Sequence, residues 1–267
     1  MTVPDTRVLQ PNLLFIDDDA YMRRLMSARL ERLGASVEAL RTAPEALDYL
    51  ETHRPDVIIS DAVMPGLDGF ALCRQLRTDS RFQAIPFIIL TALKGDLRPR
   101  CLEAGADDYL SKLEDDVVFR LRGRLACALG LRVAALAGPP NPVGHASLMV
   151  VSASRVIHAQ MASHLQQDDI FVRSALTLEE AFPLLQGSIP DILALDLAYG
   201  DREVLEWVTR VRALPGGEAL PILILAAKGE DPGLVPLEAL VQDRLPKPLD
   251  GQEGRHRVHL LLRIARM

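Results

Sequence analysis

Short apolar runs alternate with longer stretches of helical period along the first half of the chain. "NLLFID" (12–17), "SVEAL" (36–40), "DVIISD" (56–61), "FIILTA" (87–92) and "DYLSK" (108–112) have the length and apolar density of buried strands. Between them lie "AYMRRLMSARLERLG" (20–34), "APEALDYLETH" (43–53), "FALCRQLRTD" (70–79) and "RPRCLEAG" (98–105), whose apolar residues recur at helical spacing. A last helix is expected from Asp115 to about Leu131. Gly34 is a helix stop. Strict strand–helix alternation predicts an α/β domain with a parallel sheet, because parallel neighbours need crossover connections.

The Pro/Gly-rich "AGPPNPVGH" (137–145) breaks the pattern and reads as a linker. Beyond it the pattern starts again. A shift of 135 residues, the distance from Asp61 to Asp196, brings the halves into register. "EAL" (45–47) meets "EAF" (180–182), "PDVIISD" (55–61) meets "PDILALD" (190–196), "PFIIL" (86–90) meets "PILIL" (221–225), and Lys112 meets Lys247. Generic apolar strands could match by chance. A common offset for an aspartate, a proline and a lysine points to duplication. The expected organisation is a first domain over 11–132, a linker over 133–146 and a second domain over 147–267.

Composition narrows the function classes. Hydrophobic residues make up 49% of the 267 and charged ones 25%, a globular profile. The net charge of −6 argues against nucleic acid, which calls for a clustered basic face. Cys73, Cys101 and Cys127 have no metal-like spacing, so reduced thiols are expected. "MTVPDTRVLQPN" lacks the charged and apolar regions of a secretion signal, and no run is long enough for a membrane span. The expectation is a cytoplasmic protein that engages neither nucleic acid nor membrane.

"FIDDD" (15–19) runs a strand directly into three aspartates. At about 4 Å and an effective dielectric near 20, each close pair of carboxylates costs about 4 kcal/mol. Either they splay into water at a helix start, or a positive charge sits among them. In a doubly wound sheet, ligands bind beyond the carboxyl ends of the strands. At those ends the first half places Asp17, Asp18 and Asp19, then Asp61, Thr91 and Lys112. Carboxylates, a hydroxyl and an ammonium suit a hard cation such as Mg²⁺. They also suit phosphoryl transfer, in which a carboxylate attacks phosphorus and cations neutralise the developing charge.

"FIDDDAYMRRLM", "PDVIISDAVMPGLDGF", "IPFIILTA" and "GADDYLSK" resemble the CheY-like receiver domain of bacterial two-component response regulators over residues 11–131. The resemblance implies a flavodoxin-like (βα)5 fold with strand order 2-1-3-4-5, for the second half as well. It implies that Asp61 is the phosphoacceptor for a sensor histidine kinase or phosphotransfer protein. Mg²⁺ would be held by Asp17, Asp18, Asp61 and the backbone carbonyl of Val63. Thr91 and Lys112 would bind the phosphoryl group, and Tyr109 would act with Thr91 as the switch. The family needs only two acids at the first strand, which leaves Asp19 to the helix start. Leu113 follows Lys112 where the family usually carries proline, so the loop there should be built differently.

At the 135 offset the second half keeps Asp196 and Lys247 but replaces the acid pair by Ser152 and Ala153, Thr91 by Ala226 and Tyr109 by Arg244. "MPGLDG" becomes "YGDREV". Its expected role is a degenerate, unphosphorylated interaction or dimerisation module. The whole then reads as a response regulator that signals through self-association or an unidentified downstream protein, with no enzymatic activity beyond phosphorylation of Asp61 and its hydrolysis. Two alternatives stand beside it. The tandem layout is similar to the regulatory half of diguanylate cyclase response regulators, and the chain end "LLLRIARM" leaves no room for that output domain. Asp17-x-Asp19 with Asp107 and Asp108 also fits a haloacid-dehalogenase-like phosphatase, which would leave "DAVMPGLDG" unexplained. The cognate kinase, the pathway and the oligomeric state have no signal in the sequence.

Overall fold

The computed structural model describes residues 10–93, 97–114, 116–135, 146–227 and 236–266. Residues 1–9, which carry most of the segment read for a secretion signal, lie outside these. So do residues 136–145 of the expected linker, whose residues 133–135 instead close a helix and whose Ala146 opens a strand. The chain divides into two compact units, Met1–Glu114 with Ala126–Pro139, and Asp115–Leu125 with Pro140–Met267.

The first unit contains β1 (Asn12–Ile16), β2 (Ser36–Leu40), β3 (Val57–Asp61), β4 (Phe87–Thr91) and β5 (Asp108–Ser111), all parallel in the order β2-β1-β3-β4-β5. Every residue of β3 and β4 is buried, as expected of strands covered on both faces. The edge strand β2 contains no buried residue. The crossovers are α1 (Ala20–Glu31), α2 (Ala43–Leu50), α3 (Gly69–Thr78) and α4 (Arg98–Ala104), and α5 (Asp116–Ala135) follows β5. Thr42 caps α2 by accepting from the amide of Glu45, whose carboxylate in turn accepts from the amide of Arg41, just ahead of the cap. α1 ends three residues before Gly34, whose φ of +86° lets the chain turn back into β2. α5 runs four residues past its expected end at Leu131.

The second unit repeats the plan. β6 (Ala146–Val151), β7 (Ile170–Ala175), β8 (Ile192–Asp196), β9 (Ile222–Ala227) and β10 (Asp243–Lys247) are parallel in the order β7-β6-β8-β9-β10, the same winding as the first sheet. Its helices are α6 (Arg155–His164), α7 (Leu178–Gly187), α8 (Asp201–Arg212) and α9 (Gly251–Ala265). Two features depart from the expected (βα)5 pattern among the described residues: a 3-10 turn over Leu197–Tyr199 ahead of α8, and the β9–β10 connection. Between β9 and β10, residues 236–240 form turns where the first unit has α4. Val117 and Leu121, from the first half of α5, are buried in this unit's core with Trp207, Val208 and Leu237. Arg120 pairs with Glu238 at 2.7 Å.

The duplication extends to hydrogen bonds that sequence matching alone does not reveal. The Asp56 carboxylate accepts from the Asn12 amide at 2.8 Å, and Asp191 accepts from Ser147 at 2.7 Å, each 135 residues on. Thr177 and Glu180 rebuild the reciprocal cap of Thr42 and Glu45, with Leu176 donating to Glu180 as Arg41 does to Glu45. Arg77 donates to the carbonyls of Gly105 and Ile85 and to Asp107, which accepts from the Phe87 amide. Its counterpart Arg212 reaches the carbonyls of Leu240 and Leu220 and Gln242, which accepts from Ile222.

Candidate functional site

The carboxyl ends of β1, β3, β4 and β5 bring the expected residues of the first unit together. Asp17 follows β1 with its amide on the Leu40 carbonyl, and it is fully buried. Its Oδ1 accepts from the amide of Asp19 at 3.0 Å. Asp19 is the N-cap of α1: its Oδ1 accepts from the amides of Met22 and Tyr21, both at 2.8 Å, and these bonds hold its pKa below the ordinary value. The third acid thus belongs to the helix start, as expected. Asp18 is exposed, and its ligand oxygen lies with those of Asp17 and Asp61 in a group no more than 4.8 Å across.

The positive charge among the acids is Lys112. Its Nζ lies 2.7 Å from Asp17 Oδ2 and 2.7 Å from Asp61 Oδ2. Burial works against its charge, but the hydrogen bonds to Asp17 and Asp61 outweigh it and raise its pKa. Asp61, 8% exposed, has its pKa raised, first by burial and further by the charge of Asp17, with Lys112 opposing. Only Oδ2 of Asp61 is fully engaged. Its Oδ1 receives one long contact, 3.5 Å, from the Val63 amide. Three carboxylates against one ammonium leave a formal excess of two negative charges at a point where oxygens converge. That donor set fits a hard divalent cation.

Thr91 is buried at the end of β4, and its Oγ1 accepts from the Leu93 amide at 2.9 Å. Tyr109 is half-buried against the core of the first unit. Lys112 is held by its own amide, which donates to the Thr91 carbonyl at 2.7 Å. Leu113 is exposed and donates its amide to Ser111 Oγ. The only cis peptide bond among the described residues is Lys247–Pro248, so the loop after Lys112 does differ from its counterpart, yet Lys112 reaches both acids.

Two contributors escaped the sequence reading. Arg23 Nη1 donates to the carbonyls of Asp17 at 2.7 Å and Asp18 at 3.3 Å and so pins the acid loop. Gly69 opens α3 so close to Asp61 that a Cβ there would lie well inside contact distance of the Asp61 carbonyl oxygen. The signal for it was present in "MPGLDG", whose Gly66 has φ +80° for the turn while Gly69 allows the close approach. Asp107, the late acid of the phosphatase alternative, precedes β5 and is bonded to Arg77 and the Phe87 amide.

The second unit keeps the frame of this site and closes it. Asp196 Oδ1 accepts from Lys247 Nζ at 2.7 Å and from the Ala198 amide at 3.0 Å, and its Oδ2 accepts from Ser152 Oγ at 2.7 Å. Both oxygens are engaged. Ala153 offers no ligand in place of Asp18. His158, the counterpart of Arg23, holds the Ser152 carbonyl through Nε2 at 2.7 Å. Buried Ala226 and Arg244 replace the hydroxyl and the aromatic ring.

Residues 13–121 match the family model "Response regulator receiver domain". The response regulator PleD of Caulobacter vibrioides is 29% identical over 272 aligned positions, which cover 94% of this chain and 58% of PleD. The transcriptional regulatory protein AfsQ1 of Streptomyces coelicolor is 37% identical, over 46% of this chain and 53% of its own length. The chain therefore spans only part of the length of these relatives. Among solved structures, the receiver domain of sensor histidine kinase PA1611 from Pseudomonas aeruginosa, with a magnesium ion coordinated in its active site cleft, is 30% identical. That match covers 43% of this chain and 95% of that one, at a TM-score of 0.39. With the family model running from β1 into α5 and the acids, threonine and lysine gathered at the strand ends between, residues 13–121 constitute a response regulator receiver domain.

Proposed function

We propose that the chain is a two-component response regulator phosphorylated on Asp61 by a histidine kinase or phosphotransfer protein. The observation that carries the reading is the difference between the two oxygens of Asp61: Oδ2 is held by Lys112, while Oδ1 is almost unbound. Oδ1 attacks phosphorus, the bond from phosphorus to the donor imidazole breaks with its electron pair on nitrogen, and the imidazole takes a proton from solvent. Asp17, Asp18, Asp61 and the Val63 carbonyl would hold Mg²⁺, which when bound supplies positive charge to the phosphoryl oxygens. Lys112, already between Asp17 and Asp61, neutralises charge on the incoming group. Thr91 Oγ leaves the Leu93 amide to donate to a phosphoryl oxygen, and Tyr109 turns with it, repacking the α4–β5 face.

The output of that repacking is self-association or binding of a downstream protein. In this reading 11–132 is the phosphorylated module, 133–146 the connection and 147–267 an unphosphorylated interaction module. The chain transfers phosphate to itself and turns over no external substrate. The engagement of both Asp196 oxygens supports the passive role of the second module. The test is incubation with acetyl phosphate and Mg²⁺, followed by intact mass and sedimentation. One phosphoryl group on the wild type and none on Asp61→Asn is expected, and label retained in Asp61→Asn would overturn the assignment.

A second reading makes the chain the regulatory half of a longer, diguanylate cyclase-type regulator. The alignment with 94% of this chain but 58% of PleD favours it. Both readings share the Asp61 chemistry.

A further inference from the structure

Of the three acids that converge on the first unit's site, two carboxylates are fixed by the fold. Asp17 is fully buried, its Oδ1 accepts from the Asp19 amide at 3.0 Å, and its Oδ2 lies 2.7 Å from Lys112 Nζ. Asp61 is held by the same ammonium at 2.7 Å. Asp18 is different. It is exposed, and its carboxylate has no hydrogen-bond or ion-pair partner among the described residues. Where its oxygens can reach is therefore set by its backbone. That backbone is gripped by Arg23, in the first turn of α1, whose single nitrogen Nη1 donates to the Asp17 carbonyl at 2.7 Å and to the Asp18 carbonyl at 3.3 Å.

The second unit separates the two bonds. Its counterpart of Arg23, the buried His158, donates from Nε2 to the carbonyl of Ser152, which stands in the place of Asp17, at 2.7 Å. One ring nitrogen donates one N–H, and His158 makes no bond to Ala153, which stands in the place of Asp18. The grip on the first carbonyl thus survives in a copy that has no acid pair, and it serves the strand end itself. The grip on the second carbonyl is found only where that residue carries a ligand oxygen. Charge and position oppose each other at Arg23. A guanidinium beside the acids repels a divalent cation, so on charge alone its removal would tighten cation binding. Ordering an unheld carboxylate costs conformational entropy when the cation binds, so on position alone its removal would weaken binding.

We propose that Arg23 is a positioning residue for the cation: through the Asp18 carbonyl it fixes the ligand carboxylate that has no partner of its own, and this outweighs the repulsion of its charge. The proposal rests on the reading of Asp17, Asp18 and Asp61 as Mg²⁺ ligands. Calorimetric titration of the full, unphosphorylated chain with Mg²⁺ measures the affinity directly, at mildly alkaline pH where an introduced histidine is neutral. Arg23→Met should weaken binding about tenfold. Arg23→His, the arrangement of the second unit, should weaken it similarly, since one imidazole nitrogen serves one carbonyl. Arg23→Lys should bind like the wild type, because in the structure a single nitrogen makes both bonds. In an Asp18→Asn background Arg23→Met should have no further effect, the signature of action through Asp18.

Labelling by acetyl phosphate should split the same way: Arg23→Met raises the Mg²⁺ concentration for half-maximal rate and leaves the rate at saturating Mg²⁺ unchanged. Urea melts in chelator identify any variant that fails to fold, and Arg23→His, which keeps the grip on the strand end, tests the position if Arg23→Met does not fold. Tighter or unchanged Mg²⁺ binding in the folded variants, a loss in Arg23→Lys equal to that in Arg23→Met, or an additive loss in the Asp18→Asn background would overturn the proposal. So would a labelling rate that stays low at saturating Mg²⁺. A wild-type chain that binds no Mg²⁺ would overturn the metal site itself. Wild-type binding that Arg23→Met leaves intact removes only the positioning role, so the two failures are distinguishable.

Discussion

Asp17 and Asp61 are two buried carboxylates that share one ammonium, and the stability of the metal-free protein at this point rests on Lys112. Removing one partner of a buried ion pair strands the other, at a cost of about 3–5 kcal/mol. Lys112→Ala should therefore lower stability by about that amount in chelator-containing buffer, and added Mg²⁺ should recover part of it, measured by urea melts. Asp61 behaves in the opposite sense. Its raised folded pKa means that the folded state holds the proton more tightly than the unfolded chain. Its contribution is then complete below the unfolded value and lost as pH rises through the folded one. At neutral pH the ionised carboxylate is a liability, so Asp61→Asn should raise the melting temperature without metal while abolishing phosphorylation. The gain should shrink as the pH is lowered towards 4, and a gain independent of pH would contradict this account. The sequence marked Asp17, Asp61 and Lys112 through strand ends and a family motif. It gave no means of telling which carboxylate oxygen stays unbound.

Elements place these residues by small local rules. Asp19 fits the cap of α1 because an acceptor at that position satisfies two free amides, which separates it from Asp17 and Asp18. Gly69 is where α3 touches the end of β3, and a methyl group there would push against the Asp61 carbonyl. Gly69→Ala should cost about 1–3 kcal/mol in stability and slow labelling of Asp61 more than the same substitution at exposed Gly34, compared by urea melts and initial labelling rates. Element identity was legible in the first unit because β1, β3 and β4 are apolar runs, between which the shorter mixed strands β2 and β5 fall by alternation with the helices. Ends were less so. α1 stops short of Gly34, where the chain continues in local turns, and α5 outruns Leu131, because apolar period does not mark the last turn of a helix. The described residues 236–240, "PLEAL", form turns where the (βα)5 pattern leads one to expect helix.

At the scale of the whole chain, duplication gave two copies of one frame, of which one keeps its chemistry. Ser152 fills the place of an acid by donating to Asp196, so the second copy satisfies its buried aspartate without a metal. Ser152→Asp/Ala153→Asp, made in an Asp17→Asn background, should create Mg²⁺-dependent quenching or shift of Trp207 emission, which the parent background lacks. No response at millimolar Mg²⁺ would mean that the frame of the second unit no longer holds a cation. The sequence by itself determined the two α/β halves, their common register, the strand-end acids and the loss of the acid pair in the second copy. Those features depend on local apolar period and on residue identity, both of which survive in one dimension. Tertiary structure decided the rest. Arg23 and His158 grip carbonyls that nothing in their spacing announces, and both oxygens of Asp196 are occupied while one oxygen of Asp61 is nearly free. Hydrogen-bond geometry and the packing of separate helices are set only when the chain closes on itself, and the chemistry that divides the two copies resides there.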